Sequence, residues 1–176
     1  WKLPVIFICE NNRYGMGTAM RRVSALVEVY KRAEAYGIDA EQVDGMDVLA
    51  MHEAVSRRAA NVRAGEGPAF LEAICFRFRG HSMADPELYR DKTEVEHWRQ
   101  IDPINTFTQA LLSGGQLVQD EIDAINQRVE TEVEAAAQFA EESPFPSVDT
   151  LLDNMYAPSP LDHLARGWTG GGGSHA

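Results

Sequence analysis

The sequence predicts an α/β fold in which a parallel sheet is followed by a helical region. Two apolar, strand-like runs lie at 5–9 and 69–76, with a shorter candidate at 38–45 between them. Helical patterns separate these runs, and beyond residue 92 the apolar periodicity is helical throughout. Strands that alternate with helices in this way are typical of a parallel sheet with right-handed crossovers.

The α/β part is predicted element by element from its residue pattern. Val5–Cys9 is a continuous apolar run, which predicts a strand buried on both faces of the sheet. Residues 25–36 place apolar side chains on one helical face and end before Gly37, a common helix-ending residue. Asp47 has the character of an N-cap for the next helix, which ends before the third strand at 69–76.

Only helices are predicted from Thr93 onward. Thr93 begins a capping-box pattern, and Pro103 stands at the first position of a further helix. Apolar residues between Val118 and Ala140 recur at steps of three and four, which predicts one long amphipathic helix. A short last helix is expected at 147–156.

Three regions are expected along the chain. An α/β part covers 1–92, a helical region covers 93–157, and 158–176 form a disordered tail or linker because of a glycine run closed by a serine. Three strands make a thin sheet for a complete domain. We therefore expect further strands upstream, or a partner that covers the sheet edges.

Composition argues against several classes of protein. The 176 residues carry a net charge of -11, which is unsuited to nucleic-acid binding. No apolar run is long enough to span a bilayer, so no membrane partner is expected. Cys9 and Cys75 lie inside apolar runs without pairing or metal-ligand spacing, which predicts buried, reduced thiols in a reducing compartment.

Two polar loops follow the first and third strands: the first loop, Glu10–Thr18 ("ENNRYGMGT"), and the second loop, Arg77–Arg90. In a parallel sheet both emerge at the same edge, where ligands of α/β proteins bind. The spacing of Asn11 and Asn12 alone favours a turn, because asparagine bonds its own backbone. The alternative is a cation site built from side-chain and backbone oxygens.

The second loop places polar and cationic side chains beside those oxygens: Arg77, Arg79, His81, Ser82 and Arg90. Oxygens for a divalent metal next to cations for an anion are typical of a site for a diphosphate with magnesium. His81 and Ser82 are sequence neighbours without an acidic orienter, which argues against a nucleophilic pair. The other histidines are expected at the surface, and Trp98 is expected in packing.

Four stretches, in order and with matching gaps, carry a family resemblance: "ENNRYGMGT", "VDGMDVL", "GEGPAFLEA" and "FRGHSMADPELYR". Together they resemble the alpha subunit of pyruvate dehydrogenase, the thiamine-diphosphate-dependent decarboxylating component of the 2-oxo acid dehydrogenase complexes. The resemblance runs from Trp1 to about Ala157. It implies that 1–92 are the C-terminal part of a thiamine-diphosphate-binding α/β domain and that 93–157 are a helical C-terminal region.

The resemblance also implies roles for residues of both loops. Asn12 gives a side-chain oxygen, and Tyr14 a backbone carbonyl, to magnesium. His81 contacts the diphosphate of the cofactor and lines the active site. Ser82 stands beside it among the active-site residues and matches a serine that mitochondrial relatives phosphorylate.

The implied activity is the oxidative decarboxylation of pyruvate, with transfer of the acetyl unit to lipoyl groups. The implied partners are a pyruvate dehydrogenase beta subunit, which supplies the activating glutamate in a two-alpha, two-beta assembly, and the lipoyl-bearing acyltransferase. The lipoyl arm would enter beside a loop that Arg77 and Arg90 help to order.

A branched-chain 2-oxo acid or acetoin dehydrogenase is an alternative, and so is a non-catalytic fragment. The loop form implies the bacterial cytoplasm or the plastid stroma rather than the mitochondrial matrix.

The sequence also departs from the family pattern at several positions. The Gly-Asp-Gly half of the cofactor motif, with its magnesium-binding aspartate, is absent from the sequence. Asn12 and Tyr14 alone offer two neutral oxygens, too few for tight magnesium binding. We therefore expect a C-terminal fragment of the parent subunit that is inactive in isolation. Ala19, and a shortened loop before Tyr89, replace two further phosphorylated serines of mitochondrial relatives, which argues against phosphoregulation.

Overall fold

A computed structural model of the chain describes residues 1–151, 153 and 155. The strands and helices in chain order are β1 (Ile6–Asn11), β2 (Tyr14–Gly15), β3 (Thr18–Ala19), α1 (Met20–Val23), α2 (Tyr30–Glu34), β4 (Asp39–Asp44), α3 (Val48–Arg63), β5 (Ala69–Ile74), α4 (Lys92–Gln100), α5 (Pro103–Ser113) and α6 (Gln119–Glu142). A 3-10 turn follows at Val148–Thr150. The chain divides into two compact units, Trp1–Asp123 and the residues from Ala124 onward.

The main sheet has three parallel strands in the order β1-β5-β4. The central strand β5 supplies the two most deeply buried side chains, Leu71 and Glu72, both without solvent exposure. Cys9 of β1 and Gln42 of β4 both lie opposite Glu72 in the register. Strands β2 and β3 form a small antiparallel hairpin just beyond β1. The predicted α/β fold with a parallel sheet is confirmed.

Strand β1 is less buried than its apolar sequence predicts. Phe7 and Ile8 point to opposite faces and are 48% and 50% exposed. The reason is its place at the sheet edge, since β1 pairs with β5 alone among the described strands. Cys9 and Cys75 are free thiols, as expected, but they are half-buried rather than buried. Burial raises the pKa of both thiols, which keeps them protonated at neutral pH.

The helix predicted over 25–36 is wrong in its first half, because α2 begins only at Tyr30. The Ser24 hydroxyl donates to the carbonyl of Leu26 at 2.7 Å, a local bond that competes with helix formation. The Tyr30 N–H donates to the buried carboxylate of Glu72 at 3.0 Å. That N–H would otherwise be one of the free donors at the start of the helix. A tertiary contact therefore favours the observed helix start.

Two predicted helix-end signals are confirmed. Gly37 lies beyond α2 with φ +68, a conformation that glycine adopts without steric cost. Asp47 caps α3, because its carboxylate accepts hydrogen bonds from the backbone N–H groups of Leu49 at 2.9 Å and Ala50 at 3.0 Å. These bonds satisfy two donors of the first turn, so the local sequence alone specifies where α3 begins.

Replacing Asp47 by alanine is expected to destabilise the folded state by about 1 kcal/mol, because both cap bonds of α3 are lost. Urea denaturation of the two proteins measures the difference. Asp47→Asn is the matched control, since its amide oxygen can still accept both bonds. An equal loss in the two variants would contradict a capping role.

The helices after residue 92 agree with the sequence prediction except at the start of α4 and in the last predicted helix. The cap of α4 is Asp91 rather than Thr93, and the Asp91 carboxylate accepts from the Thr93 backbone N–H at 2.8 Å and from its hydroxyl at 2.9 Å. Helix α5 begins at Pro103 and α6 is continuous, both as predicted. Of the last predicted helix, the described residues show only the 3-10 turn Val148–Thr150. The predicted tail at 158–176 lies outside the described residues.

Over the part of the chain that the structure describes, none of the helices combines the length and apolar character that crossing a membrane requires.

Candidate functional site

The first and second loops meet at the carboxyl edge of the sheet. Arg77 of the second loop donates from Nη2 to the carbonyl of Met16 in the first loop at 2.9 Å. The ring of Tyr89 lies so close to Gly17 that a Cβ on Gly17 would stand 2.9 Å from it. Only a residue without a side chain allows this approach. The expected convergence of the two loops is therefore observed.

The adjacent asparagines at the end of β1 build two successive turns. The Asn11 side-chain oxygen accepts from the Arg13 N–H at 2.9 Å, and the Asn12 side-chain oxygen accepts from the Tyr14 N–H at 3.0 Å. Arg13 has φ +66, a left-handed backbone conformation that residues other than glycine rarely adopt without such support. The turn interpretation is confirmed. It does not exclude the cation interpretation, because a carbonyl oxygen has a second lone pair.

The two asparagines differ in exposure. Asn11 is 8% exposed and points into the fold, whereas Asn12 is half-buried. Asn12 is therefore the more accessible of the two asparagines.

Tyr14 ties the first loop to α4. Its hydroxyl donates to the carboxylate of Glu94 at 2.7 Å, and its ring centroid lies 5.7 Å from that of Tyr89. Burial and the bond to Glu94 raise the pKa of the Tyr14 hydroxyl, so it remains a donor. The backbone around Tyr14 is thus fixed by contacts from a distant helix and from the second loop.

Arg77 connects several groups of the site. Besides Met16, its guanidinium donates to the hydroxyl of Tyr89 at 3.2 Å and to the carbonyl of Arg79 at 3.2 Å. Its Nη1 lies 3.1 Å from Nδ1 of His81. Because a guanidinium only donates, Nδ1 accepts this bond, and the proton of the neutral ring is assigned to Nε2.

His81 and Ser82 are both exposed at the tip of the second loop. The His81 backbone N–H donates to the Asp85 carboxylate at 2.7 Å, and the same carboxylate accepts from the Tyr89 hydroxyl at 2.7 Å. These hydrogen bonds lower the pKa of Asp85. No hydrogen bond joins the side chains of His81 and Ser82 in the described structure, in line with the argument against a nucleophilic pair.

Arg90 is a structural residue rather than a free cation. Its side chain is 1% exposed and pairs with Glu87, with Nε at 2.9 Å from the carboxylate. Its guanidinium also donates to the carbonyls of Arg77 at 2.5 Å and Phe78 at 3.2 Å. The expectation that Arg90 offers its charge to an anion is therefore wrong. Its expected role in ordering the loop is consistent with these bonds.

A cavity of about 390 Å³ lies beside the first loop. Its walls include Asn11, Tyr14, Arg21, Glu28 and Gln42. Arg21 and Glu28 give this wall one charge of each sign, while Val27 and Ile74 add apolar surface.

The site also contains a residue that sequence reasoning missed. Glu72 is completely buried in β5 and accepts a hydrogen bond from Asn11 at 2.5 Å. The available signal was the single carboxylate inside the apolar run "AFLEAI", because a buried charge is rare unless it has a specific partner.

The oxygen donors of the first loop suit a hard cation in kind but not in number. Asn12 and Tyr14 offer neutral oxygens, which are ligands that magnesium accepts. The described residues include no group of three or more His, Cys, Asp or Glu side chains arranged to hold a metal ion. Asn12 and Tyr14 would fill only two positions of the octahedral shell that magnesium requires.

Comparison with the sequences of known proteins places this chain in a family. The sequence pattern of the family described as "Dehydrogenase E1 component" matches residues 1–149. Proteins named "Pyruvate dehydrogenase E1 component subunit alpha" from Porphyra purpurea and Rhizobium meliloti are 40% identical over 157 residues and 44% identical over 156 residues. The somatic mitochondrial form of this subunit from Rattus norvegicus is 41% identical over 162 residues.

The matched region takes in nearly the whole of this chain but not the whole of its relatives. The three alignments cover 89%, 88% and 91% of this chain, and 46%, 45% and 41% of the respective relatives. The chain thus spans a little under half the length of these proteins. Both loops, the parallel sheet and the whole of α6 lie inside the matched residues 1–149. The resemblance carried by the four sequence stretches is confirmed, and this chain belongs to the dehydrogenase E1 component family.

Proposed function

We propose that this chain is part of the alpha subunit of a pyruvate dehydrogenase, which binds thiamine diphosphate with magnesium and acts in the oxidative decarboxylation of pyruvate. The acetyl unit would pass to lipoyl groups. Membership of the family and the names of the relatives support this proposal. The observation that carries it is the contact between an oxygen-bearing turn and a cationic loop at the carboxyl edge of a parallel sheet.

The proposed roles follow from what each group can donate or accept. The Asn12 side-chain oxygen and the Tyr14 carbonyl supply two neutral ligands to magnesium. The Nε2–H of His81 is free to donate to a diphosphate oxygen, since Arg77 occupies Nδ1. Ser82 lies exposed beside His81 at the rim of the site. When bound, thiamine diphosphate supplies the electron sink for loss of carbon dioxide.

The partners and the compartment are part of the proposal. A beta subunit would complete the active site in a two-alpha, two-beta assembly, and a lipoyl-bearing acyltransferase would take the acetyl unit. The net charge of -11 is consistent with an absence of nucleic acid among the partners. The bacterial cytoplasm and the plastid stroma remain the proposed compartments, on the form of the second loop. The 176-residue chain alone is proposed to bind the cofactor weakly and to be inactive, because its own magnesium ligands are too few.

Asn12→Ala, made in a full-length alpha subunit that carries this segment, tests the proposal. With the beta subunit present, we expect the affinity for thiamine diphosphate and magnesium to fall by about ten- to a hundredfold, because one metal ligand is lost. Pyruvate decarboxylation should fall with it at limiting cofactor. Calorimetric titration and release of carbon dioxide are the two measurements.

Asn126→Ala on α6 is the matched control, since Asn126 is an exposed asparagine outside both loops. It should leave affinity and rate unchanged. Failure of the wild-type assembly to bind the cofactor would overturn the proposed function. Equal affinity in the wild type and in Asn12→Ala would remove Asn12 from the metal site.

A further inference from the structure

The buried carboxylate of Glu72 makes three hydrogen bonds across the sheet. One oxygen accepts from the side-chain amide of Asn11 at 2.5 Å. The other accepts from the Tyr30 backbone N–H at 3.0 Å and from the side-chain amide of Gln42 at 3.3 Å. Glu72 thus joins the end of β1, the centre of β4 and the start of α2 from one point inside the central strand.

All three partners of Glu72 are neutral donors. No lysine or arginine forms an ion pair with Glu72 within the described part of the chain. Burial on its own raises the pKa of Glu72, but hydrogen bonds to its carboxylate, led by the one from the Asn11 amide, outweigh this effect, and the pKa is lowered. The carboxylate therefore stays ionised and keeps both oxygens as acceptors, which a buried charge does only when its hydrogen bonds are complete.

The bond to Asn11 fixes which way that side chain faces. With its amide nitrogen held by Glu72, Asn11 must point its oxygen the other way, where it accepts from the Arg13 N–H at 2.9 Å. This bond supports the left-handed turn at Arg13, which stands between Asn12 and Tyr14. Two hydrogen bonds thus connect Glu72 through Asn11 to the backbone of Arg13, whose covalent neighbours are Asn12 and Tyr14.

We propose that Glu72 is a positioning residue of the first loop: it orients Asn11, and through Asn11 it holds the turn that presents the Asn12 side-chain oxygen and the Tyr14 carbonyl. The proposal rests on the proposed function in one respect, namely that these two oxygens bind magnesium. Glu72 itself does not touch the cofactor. Residues that orient metal ligands in this way commonly change metal affinity by about ten- to a hundredfold when they are replaced.

Glu72→Gln in a full-length alpha subunit that carries this segment, assembled with its beta subunit, is the first test. Glutamine has nearly the same shape, but its amide group places a donor against at least one of the three donors. We expect the affinity for thiamine diphosphate with magnesium, measured by calorimetry, to fall by about tenfold or more. Glu53→Gln, an exposed carboxylate on α3, is the matched control and should retain wild-type affinity.

The double variant Asn11→Asp with Glu72→Gln tests the link itself. The amide of Gln at position 72 can donate to the carboxylate at position 11, and the other carboxylate oxygen can still accept from the Arg13 N–H. The direction of one hydrogen bond is reversed while the net charge is unchanged. We expect each single variant to bind the cofactor weakly and the double variant to recover most of the affinity.

If Glu72 served stability alone, the variants would behave differently. If folded Glu72→Gln loses stability to urea but binds the cofactor with wild-type affinity, the proposal is overturned. Absence of recovery in the double variant also overturns it. Should Glu72→Gln fail to fold, Asn11→Leu breaks the same link from the loop side and must show the same loss of affinity. Absence of cofactor binding by the wild-type assembly is a distinct result, since it contradicts the proposed function instead.

Discussion

Replacing Arg77 by alanine is expected to lower the rate of pyruvate decarboxylation by about ten- to a hundredfold in a full-length subunit that carries this segment. Arg77 donates to Met16 in the first loop and to Tyr89 and the Arg79 carbonyl in the second, and it holds Nδ1 of His81. Its loss removes the hydrogen bond between the two loops and frees the His81 ring to change tautomer and orientation. The steady-state rate at saturating cofactor measures the effect.

Limited proteolysis distinguishes loop order from a local change in chemistry. We expect Arg77→Ala to be cut within the second loop much faster than the wild type, because its main link to the first loop is gone. Arg63→Ala is the control, since Arg63 lies exposed at the end of α3, away from both loops. Wild-type proteolysis together with a wild-type rate would show that the contact between the loops has no part in function.

Replacing Arg90 by methionine is expected to cost roughly 2–3 kcal/mol of folding stability. Methionine retains an apolar side chain of similar length, but it loses the guanidinium, whose carbon lies 5.1 Å from the centroid of the Phe76 ring. The donors to Glu87 and to the carbonyls of Arg77 and Phe78 are lost with it. The estimate lies below that for a fully buried pair because Glu87 is 33% exposed.

The free energy of unfolding in urea checks this result. Arg99→Met is the matched control, because Arg99 lies on α4 and is exposed. It should change the free energy of unfolding by less than about 0.5 kcal/mol. A small effect at Arg90, equal to that at Arg99, would mean that the second loop does not depend on this buried guanidinium.

Sequence patterns predicted the fold where the controlling interactions are local. Asp47 caps the helix that follows it, and Pro103 begins α5, because the interactions at both positions reach only a few residues along the chain. The predicted start of α2 was wrong because the partner of the Tyr30 N–H is Glu72, which lies 42 residues away in the sequence. The prediction that β1 is buried on both faces was also wrong. An apolar run shows that a strand can be buried, but it does not show which elements lie beside that strand.

The candidate site shows the same division. The composition of the two loops and the parallel order of the strands were enough to predict that the loops meet. They did not reveal that Arg90 is buried and paired, nor that Tyr14 bonds to Glu94, 80 residues away. Side-chain pairs between distant elements follow no spacing rule, so only the folded structure could assign them. The roles of Asn12, Tyr14, His81 and Ser82 stay predictions.

The central claim is that the Asn12 side-chain oxygen and the Tyr14 carbonyl bind the metal of a diphosphate cofactor. The most direct test is a crystal structure of the full-length alpha and beta assembly with thiamine diphosphate and Mn²⁺ in place of Mg²⁺, with the metal located by its anomalous scattering. We predict a metal peak within about 2.0–2.4 Å of both oxygens, with His81 next to the diphosphate. A metal bound elsewhere, or bound without either oxygen, would contradict the account.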